Sequence, residues 1–170
     1  MRKLSWLLLL DLDGTLWDHL DISSLTPPFR RVGEDVIEDS MGERVRLFRY
    51  MVNLAVWARD MGAGVVSLSW NDREKALAAL RAFGVEEVFD WHVIEPHPWK
   101  GKALSRFLRE SGLDIPPERM IYFDDRDIHL DDIYSHVGRV RYVRSQVDCS
   151  SLESCKSLVE KLLGEASISP

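Results

Sequence analysis

The sequence predicts an α/β fold built on a parallel sheet with helices on both faces. Three observations carry that expectation. Short apolar runs alternate along the chain with stretches of helical periodicity, the pattern of βα units. Polar residues able to do chemistry stand directly after four of the apolar runs, where ligands of open α/β sheets bind. The length of 170 residues, 45% hydrophobic and 29% charged, suits one domain with one core.

Taken in order, Ser5 to Leu10 reads as a buried strand. Trp17 to Gly42 is irregular, with Pro27-Pro28 and turn signals at Gly33-Glu34-Asp35 and Met41-Gly42-Glu43. Val36 and Ile37 between those turns predict a short hairpin, a flap over about residues 18–42. Val45 to Met61 carries Leu47, Phe48, Met51, Leu54, Ala55 and Ala58 at helical spacing and ends at Gly62 and Gly64. A strand follows over Gly64 to Leu68. Asn71 or Asp72 can cap a helix running to Phe83, stopped by Gly84. Trp91 to Ile94 is a short strand, Lys102 to Ser111 a helix, Met120 to Phe123 a strand. Arg139 to Val143 and Ser151 to Leu163 give the last strand and helix. Residues 1–165 read as one catalytic domain, and 166–170 as a loose tail.

Composition excludes several classes. A net charge of -6 argues against a general nucleic-acid binder, which needs a basic surface. Leu4 to Leu10, after Arg2 and Lys3, superficially resembles a signal peptide. It is short, lacks a small-residue cleavage site and runs into Asp11-Leu12-Asp13, so a buried strand explains it better. No stretch approaches the ~20 apolar residues of a membrane span. The expectation is a soluble cytoplasmic protein, monomeric or dimeric, with no nucleic-acid or membrane partner. Cys149 and Cys155 lie near no His in a metal-ligand spacing. They read as two thiols flanking the last helix; the sharper alternative is a disulfide pinning that helix.

The chemistry lies at the strand ends. Asp11 and Asp13 follow the first strand, Ser69 the second, Lys100 the third, Asp124 and Asp125 the fourth. Carboxylates gathered at one edge raise one another's pKa, and a divalent cation removes that penalty. Oxygen-only ligands favour Mg²⁺, which accepts phosphate oxygens alongside carboxylates. Lys100 and Ser69 would then hold a phosphoryl group, whose transfer depends on positioning and charge neutralisation.

Asp11-Leu12-Asp13-Gly14-Thr15-Leu16 resembles the first motif of the haloacid dehalogenase superfamily, Asp-x-Asp-x-Thr. Ser69, Lys100 and Asp124-Asp125 resemble its second, third and fourth motifs, in order. The chain is similar above all to the magnesium-dependent phosphatase-1 branch, through Asp11 to Trp17, Pro27-Pro28-Phe29, Pro98 to Lys100 and Phe123-Asp124-Asp125. The resemblance implies a Rossmann-like three-layer sandwich. Its five parallel strands are expected in the order 5-4-1-2-3, with no cap domain. It implies Asp11 as nucleophile forming an aspartyl-phosphate, and Asp13 as general acid and then base. Mg²⁺ would be held by Asp11, the Asp13 backbone carbonyl and Asp125, with Asp124 a further ligand or a support. Ser69 and Lys100 would bind phosphate, with Leu12 and Trp70 beside them.

Two departures bear on substrate. Trp70 stands where the family carries Arg, and His129 where it carries Asn. Lys102 rivals Lys100 as the third-motif lysine; Lys100 is preferred because Leu104 and Phe107 follow it in the family's apolar spacing. His92 and His97 read as structural, and His129 is open between site and surface. Trp6, Trp57 and Trp91 read as core, whereas Trp17, Trp70 and Trp99 lie beside motifs. Asp131-Asp132 reads as a helix start or a solvated face. With no room for a cap, the site should be open, suiting a protein-borne or otherwise accessible phosphate. Phosphatase is the expected activity; the alternatives are a phosphotransferase or mutase, and a non-catalytic phospho-ligand binding module.

Overall fold

The structure is a computed structural model in which residues 2–168 are described. In chain order the elements are β1 (Trp6–Leu10), β2 (Arg30–Gly33), β3 (Val36–Glu38), β4 (Arg44–Arg46), α1 (Arg49–Asp60), β5 (Ala63–Trp70) and α2 (Arg73–Phe83). They continue with β6 (Trp91–Glu95), α3 (Lys100–Ser111), β7 (Met120–Asp124), α4 (Leu130–His136), β8 (Arg141–Arg144) and α5 (Leu152–Ile168). The main sheet runs β6-β5-β1-β7-β8 and its adjacent pairs are all parallel. Counting only strands of this sheet in chain order, the arrangement is the expected 5-4-1-2-3.

β1 is central because its sequence leaves it no wet face. Trp6, Leu8 and Leu10 pack into one apolar cluster, and Leu7 and Leu9 into the other. Successive side chains of a strand point to opposite faces, so each face of β1 meets its own helical layer. Each such leucine contributes roughly 1.5–3 kcal/mol of burial. Beyond Leu10 the chain leaves the sheet, and the Asp11 amide bonds the Phe123 carbonyl at 3.0 Å. That bond sets Asp11 beside the end of β7.

Several expectations need correction. The flap is not a hairpin but a three-stranded antiparallel sheet, β2-β3-β4. Val45 pairs with Ile37 in this sheet, so α1 begins at Arg49 rather than Val45. The apolar spacing from Leu47 onward hid a change from strand to helix. Ser69 and Trp70 lie within β5, which pairs with β6 as far as Trp70. α3 starts at Lys100, not Lys102, whereas Asp131 and Asp132 do open a helix, the first turn of α4. β8 occupies Arg141–Arg144. α5 continues to Ile168, so Ala166–Ile168 are helix rather than tail; 169–170 lie outside the described residues. Cys149 and Cys155 form a disulfide, with Cα atoms 5.2 Å apart, correcting the two-thiol reading. Among the described residues no helix is long and apolar enough to cross a membrane.

Helices α3 and α4 approach so closely that a Cβ built on Gly101 would lie 2.1 Å from the Asp132 carbonyl oxygen. The Gly101 amide donates to the Asp132 carboxylate at 2.6 Å. Asp132 thus stands in the first turn of α4, as the helix-start reading expects, and also ties α4 to the first turn of α3. Gly101→Ala should destabilise the protein by at least about 1–3 kcal/mol, because the obstacle is backbone. Gly164 in α5 faces open space, and Gly164→Ala should stabilise by about 0.5–1 kcal/mol. Urea midpoints of the two variants should move in opposite directions.

Candidate active site

The loop after β1 is a tight crossing. The Leu12 carbonyl accepts the amides of Thr15 at 3.0 Å and Leu16 at 2.8 Å. Gly14 adopts φ 72, and a Cβ there would lie 2.5 Å from the Asp125 carboxylate. Only glycine fits both demands, which brings the first and fourth motifs into contact. Thr15 is buried between them: its hydroxyl accepts the Asp125 amide at 3.1 Å and donates to Asp11 at 3.4 Å.

Lys100 opens α3 and is 3% exposed. Its Nζ donates to Asp11 Oδ1 at 2.9 Å and Asp124 Oδ2 at 2.8 Å. Tyr122 also donates its hydroxyl to Asp124 Oδ2, and the Arg126 amide donates to Oδ1 at 3.0 Å. Lys102 lies instead over the Trp99 ring, 5.8 Å from its centroid, so geometry separates the two rivals. Carboxylate oxygens of Asp11, Asp124 and Asp125 lie within 4.8 Å of one another. Asp125 Oδ1 is buried and takes no hydrogen bond.

Burial pushes the Asp11 carboxyl well above the carboxylate range; Lys100 opposes this, and the neighbouring aspartates add to it. Burial and the Asp124 carboxylate raise Asp125. Burial would raise Asp124 too, but Lys100 and the hydrogen bonds from Lys100 and Tyr122 hold it low. The Lys100 ammonium is raised: its two carboxylates outweigh a burial cost that alone would lower it. With all three carboxyls ionised, one ammonium would face an excess of two negative charges, which is what raises Asp11 and Asp125 beyond the effect of burial. An oxygen-rich divalent cation fits that excess and the free oxygen of Asp125. Both oxygens of Asp124 are engaged, and those of Asp11 meet Lys100 and Thr15, whereas Asp125 keeps one oxygen free.

Asp13 sits apart from this cluster. Its Oδ1 accepts Trp17 Nε1 at 2.8 Å and the Ile22 amide at 3.1 Å. Its Oδ2 accepts Asn71 Nδ2 at 2.9 Å. Burial raises its pKa in spite of these donors. Asp13 faces an open cavity of about 540 Å³, lined also by Leu20, Asp21, Trp70, Asn71 and Arg126. Ser69 is buried at the end of β5, 3.4 Å from Asn71 Nδ2. The Leu12 side chain is fully buried, so only its backbone is left to meet a ligand. Trp70 is 44% exposed and packs edge-on against His129, at 6.3 Å and 89°. His129 is buried, so its surface alternative fails; Nδ1 bonds the Pro98 carbonyl at 3.1 Å. Burial and the Lys100 charge lower its pKa to about 4. His92 bonds Ser67 Oγ at 2.7 Å, and His97 pairs with Glu95, as structural residues.

Sequence reasoning missed Asn71 as an Asp13 partner and Tyr122 as an Asp124 partner. Asn71 was legible only as a helix cap, yet Asp72 caps α2 through the Lys75 amide. Tyr122 has no local signal beyond lying two residues before Asp124 in a strand, on the same face.

The fold is of the haloacid dehalogenase type, and the sequence is that of a phosphatase family. The chain belongs to the Acid Phosphatase family, whose profile matches residues 3–145. It is 27% identical over 135 residues to magnesium-dependent phosphatase 1 of Homo sapiens, covering 78% of this chain and 74% of that protein. Among solved structures it is similar to the N-terminal part of a Bacteroides fragilis protein containing a phosphatase domain, complexed with Mg. That likeness has TM-score 0.57 and 17% identity, and covers 92% of this chain and 40% of that one. It is also similar to 3-deoxy-D-manno-octulosonate 8-phosphate phosphatase of Moraxella catarrhalis. There the TM-score is 0.55 and the identity 14%, over 94% of this chain and 86% of that one. The two structural likenesses concern the fold.

Lys100→Met should destabilise the protein by about 3–5 kcal/mol at neutral pH, since it leaves buried carboxylates uncompensated. Without the ammonium, these carboxyls bind protons more tightly in the folded state than in the unfolded. Stability of the variant should therefore recover as pH falls through their raised folded pKa values. Urea unfolding of the metal-free variant at several pH values checks this; a deficit that grows on acidification would contradict it.

Proposed function

We propose that this protein is a Mg²⁺-dependent phosphomonoester hydrolase working through an aspartyl-phosphate on Asp11, with Asp13 as general acid and base. The observation that carries the reading is the separation of two carboxylates two residues apart into unlike environments. Asp11 lies in the cluster with Lys100, Asp124 and Asp125, where burial raises its pKa and the Lys100 ammonium, joined by a bound cation, would favour the carboxylate. Asp13 lies among hydrogen-bond donors at the cavity wall, its pKa raised by burial.

Asp11, Asp125 and the Asp13 backbone carbonyl would hold Mg²⁺, with Asp124 supporting Lys100 beside them. When bound, the ion would neutralise charge on the phosphoryl oxygens. An Asp11 carboxylate oxygen attacks phosphorus as the bond to the leaving oxygen breaks. Asp13 gives that oxygen its proton. Oδ1 of Asp13 already accepts two hydrogen bonds, whereas Oδ2 accepts one, so the transferable proton belongs on Oδ2. Asp13, now ionised, takes a proton from water. The water oxygen attacks phosphorus, the acyl-phosphate P–O bond breaks, and Asp11 and inorganic phosphate are released. Lys100 and Ser69, with the backbone at Leu12, would steady the phosphoryl group. The open cavity favours a phosphate carried on a protein or on another accessible molecule, which would rest against Trp70 in place of a guanidinium.

Asp11→Asn should abolish turnover of every phosphomonoester. Asp13→Asn should keep the metal site and lose about 10²–10⁴-fold in each proton-transfer step. With an aryl phosphate, a good leaving group, its first step should survive better, so phosphorylated protein should accumulate. Acid quench and peptide mapping should find phosphate on Asp11; phosphate on another residue would refute the mechanism. Excess chelator should abolish turnover and added Mg²⁺ restore it.

The alkaline limb of the rate profile follows from Asp13. Its proton is lost as pH rises through its raised pKa, so wild-type turnover of an alkyl phosphate should fall there. Asp13→Asn should lack that limb. Steady-state rates across pH, corrected for Mg²⁺ saturation, make the comparison.

A further inference from the structure

The turn after β8 lies outside the four motifs, yet it reaches back to the catalytic loop. Gln146 donates its side-chain amide to the Gly14 carbonyl at 3.0 Å. Two residues earlier, Arg144 Nε donates to the Asp125 carbonyl at 3.3 Å. The Ser145 amide bonds the Asp124 carbonyl at 3.0 Å. One short segment thus grips the backbone of both loops that meet at the Gly14–Asp125 contact.

The turn is itself built to hold Gln146 in place. Gln146 has φ 67, in the left-handed region that glycine and asparagine occupy at lower cost. Its amide bonds the Cys149 carbonyl at 3.1 Å, and the Asp148 carboxylate accepts the Arg144 amide at 2.8 Å. The Cys149–Cys155 disulfide then fastens the far end of the turn to the first turns of α5, where Cys155 is fully buried. A residue that is awkward for its backbone conformation, and sits on an exposed turn, makes one side-chain contact of consequence.

That contact completes the fixing of Gly14. The Gly14 amide is held by the His19 carbonyl at 3.1 Å, which sets the peptide plane carrying the Asp13 carbonyl. The Gly14 carbonyl is held by Gln146, which sets the next plane, toward Thr15. Gly14 leaves no room for a Cβ beside the Asp125 carboxylate, so a shift of either plane moves the backbone that borders Asp125. We infer that Gln146 is a positioning residue for the cation site, held to its task by the Cys149–Cys155 turn. The inference rests on the reading of Asp11, Asp125 and the Asp13 carbonyl as Mg²⁺ ligands.

The test is direct titration of the metal-free 170-residue chain with Mg²⁺ alone, by calorimetry, for wild type and Gln146→Asn. Asparagine suits φ 67 but is one methylene too short to reach Gly14. Its Mg²⁺ dissociation constant should rise about 3- to 10-fold, the cost of ordering the Gly14 peptide planes on binding once Gln146 no longer sets them beforehand. The thermal midpoint of the metal-free variant should not fall, and KM for an aryl phosphate at saturating Mg²⁺ should be unchanged. Wild type with its disulfide reduced should show a similar loss, and reduced Gln146→Asn little more, because both changes act through one contact. Unaltered Mg²⁺ affinity in Gln146→Asn would overturn the inference. So would a lower midpoint in the metal-free variant, which would make the role merely structural. Full affinity in reduced wild type would remove the disulfide's part. Failure of oxidised wild type to bind Mg²⁺ would instead overturn the underlying assignment of the site.

Discussion

The buried ammonium of Lys100 is the constraint on which this site depends. Placing it between Asp11 and Asp124 joins three segments that are far apart in sequence: the loop after β1, the end of β7 and the start of α3. Taking a lysine to 3% exposure is costly, and is tolerated because two carboxylates and the Tyr122 hydroxyl surround it. The position of Lys100 is in turn held by Gly101 against Asp132. Hence a glycine that gives space in a helix contact decides where the charge of the site sits. Asp125, with an oxygen left free, then stands where a cation can complete the balance.

A second consequence concerns the unlike fates of Asp11 and Asp13. Two residues apart on an extended chain, they lie on the same side and would otherwise share one environment. Their hydrogen-bond partners separate them. Asp11 is left with Lys100 and Thr15, while Asp13 receives donors from Trp17, from the Ile22 amide and from Asn71 at the end of β5. Burial raises both, but only Asp11 has an ammonium beside it. In the proposed mechanism, acid and nucleophile are thus distinguished by neighbours rather than by residue type.

The mouth of the site is shaped by what surrounds these groups. The flap is a small sheet of its own, and no separate domain covers the cavity among the described residues. Trp70 is fixed edge-on by His129, whose neutral ring is held by the Pro98 carbonyl. An indole in this place offers a flat apolar surface instead of a second positive charge. Arg126 is the cationic side chain lining that cavity, in company with Asp13, Asp21 and Asp72.

The order of the parallel strands and the identity of the charged cluster were legible in the sequence. Alternating apolar runs fix strands and helices locally, and Asp11, Ser69, Lys100 and Asp124-Asp125 each stand at the end of one. What was not legible depends on contacts between distant segments. Val45 and Leu47 fit a helix by spacing, but pairing with β3 made the first a strand residue. The two-cysteine spacing allowed thiols or a disulfide until the turn after β8 brought them together. Asn71 reads as a cap until Asp13 comes within reach, and Tyr122 reads as core until Asp124 is seen beside its hydroxyl. Sequence by itself determined the chemistry available at the sheet edge, because residue type and strand position are local properties. Only the tertiary structure decided which partner each group meets, because hydrogen bonds and desolvation act through space across residues that the chain keeps far apart.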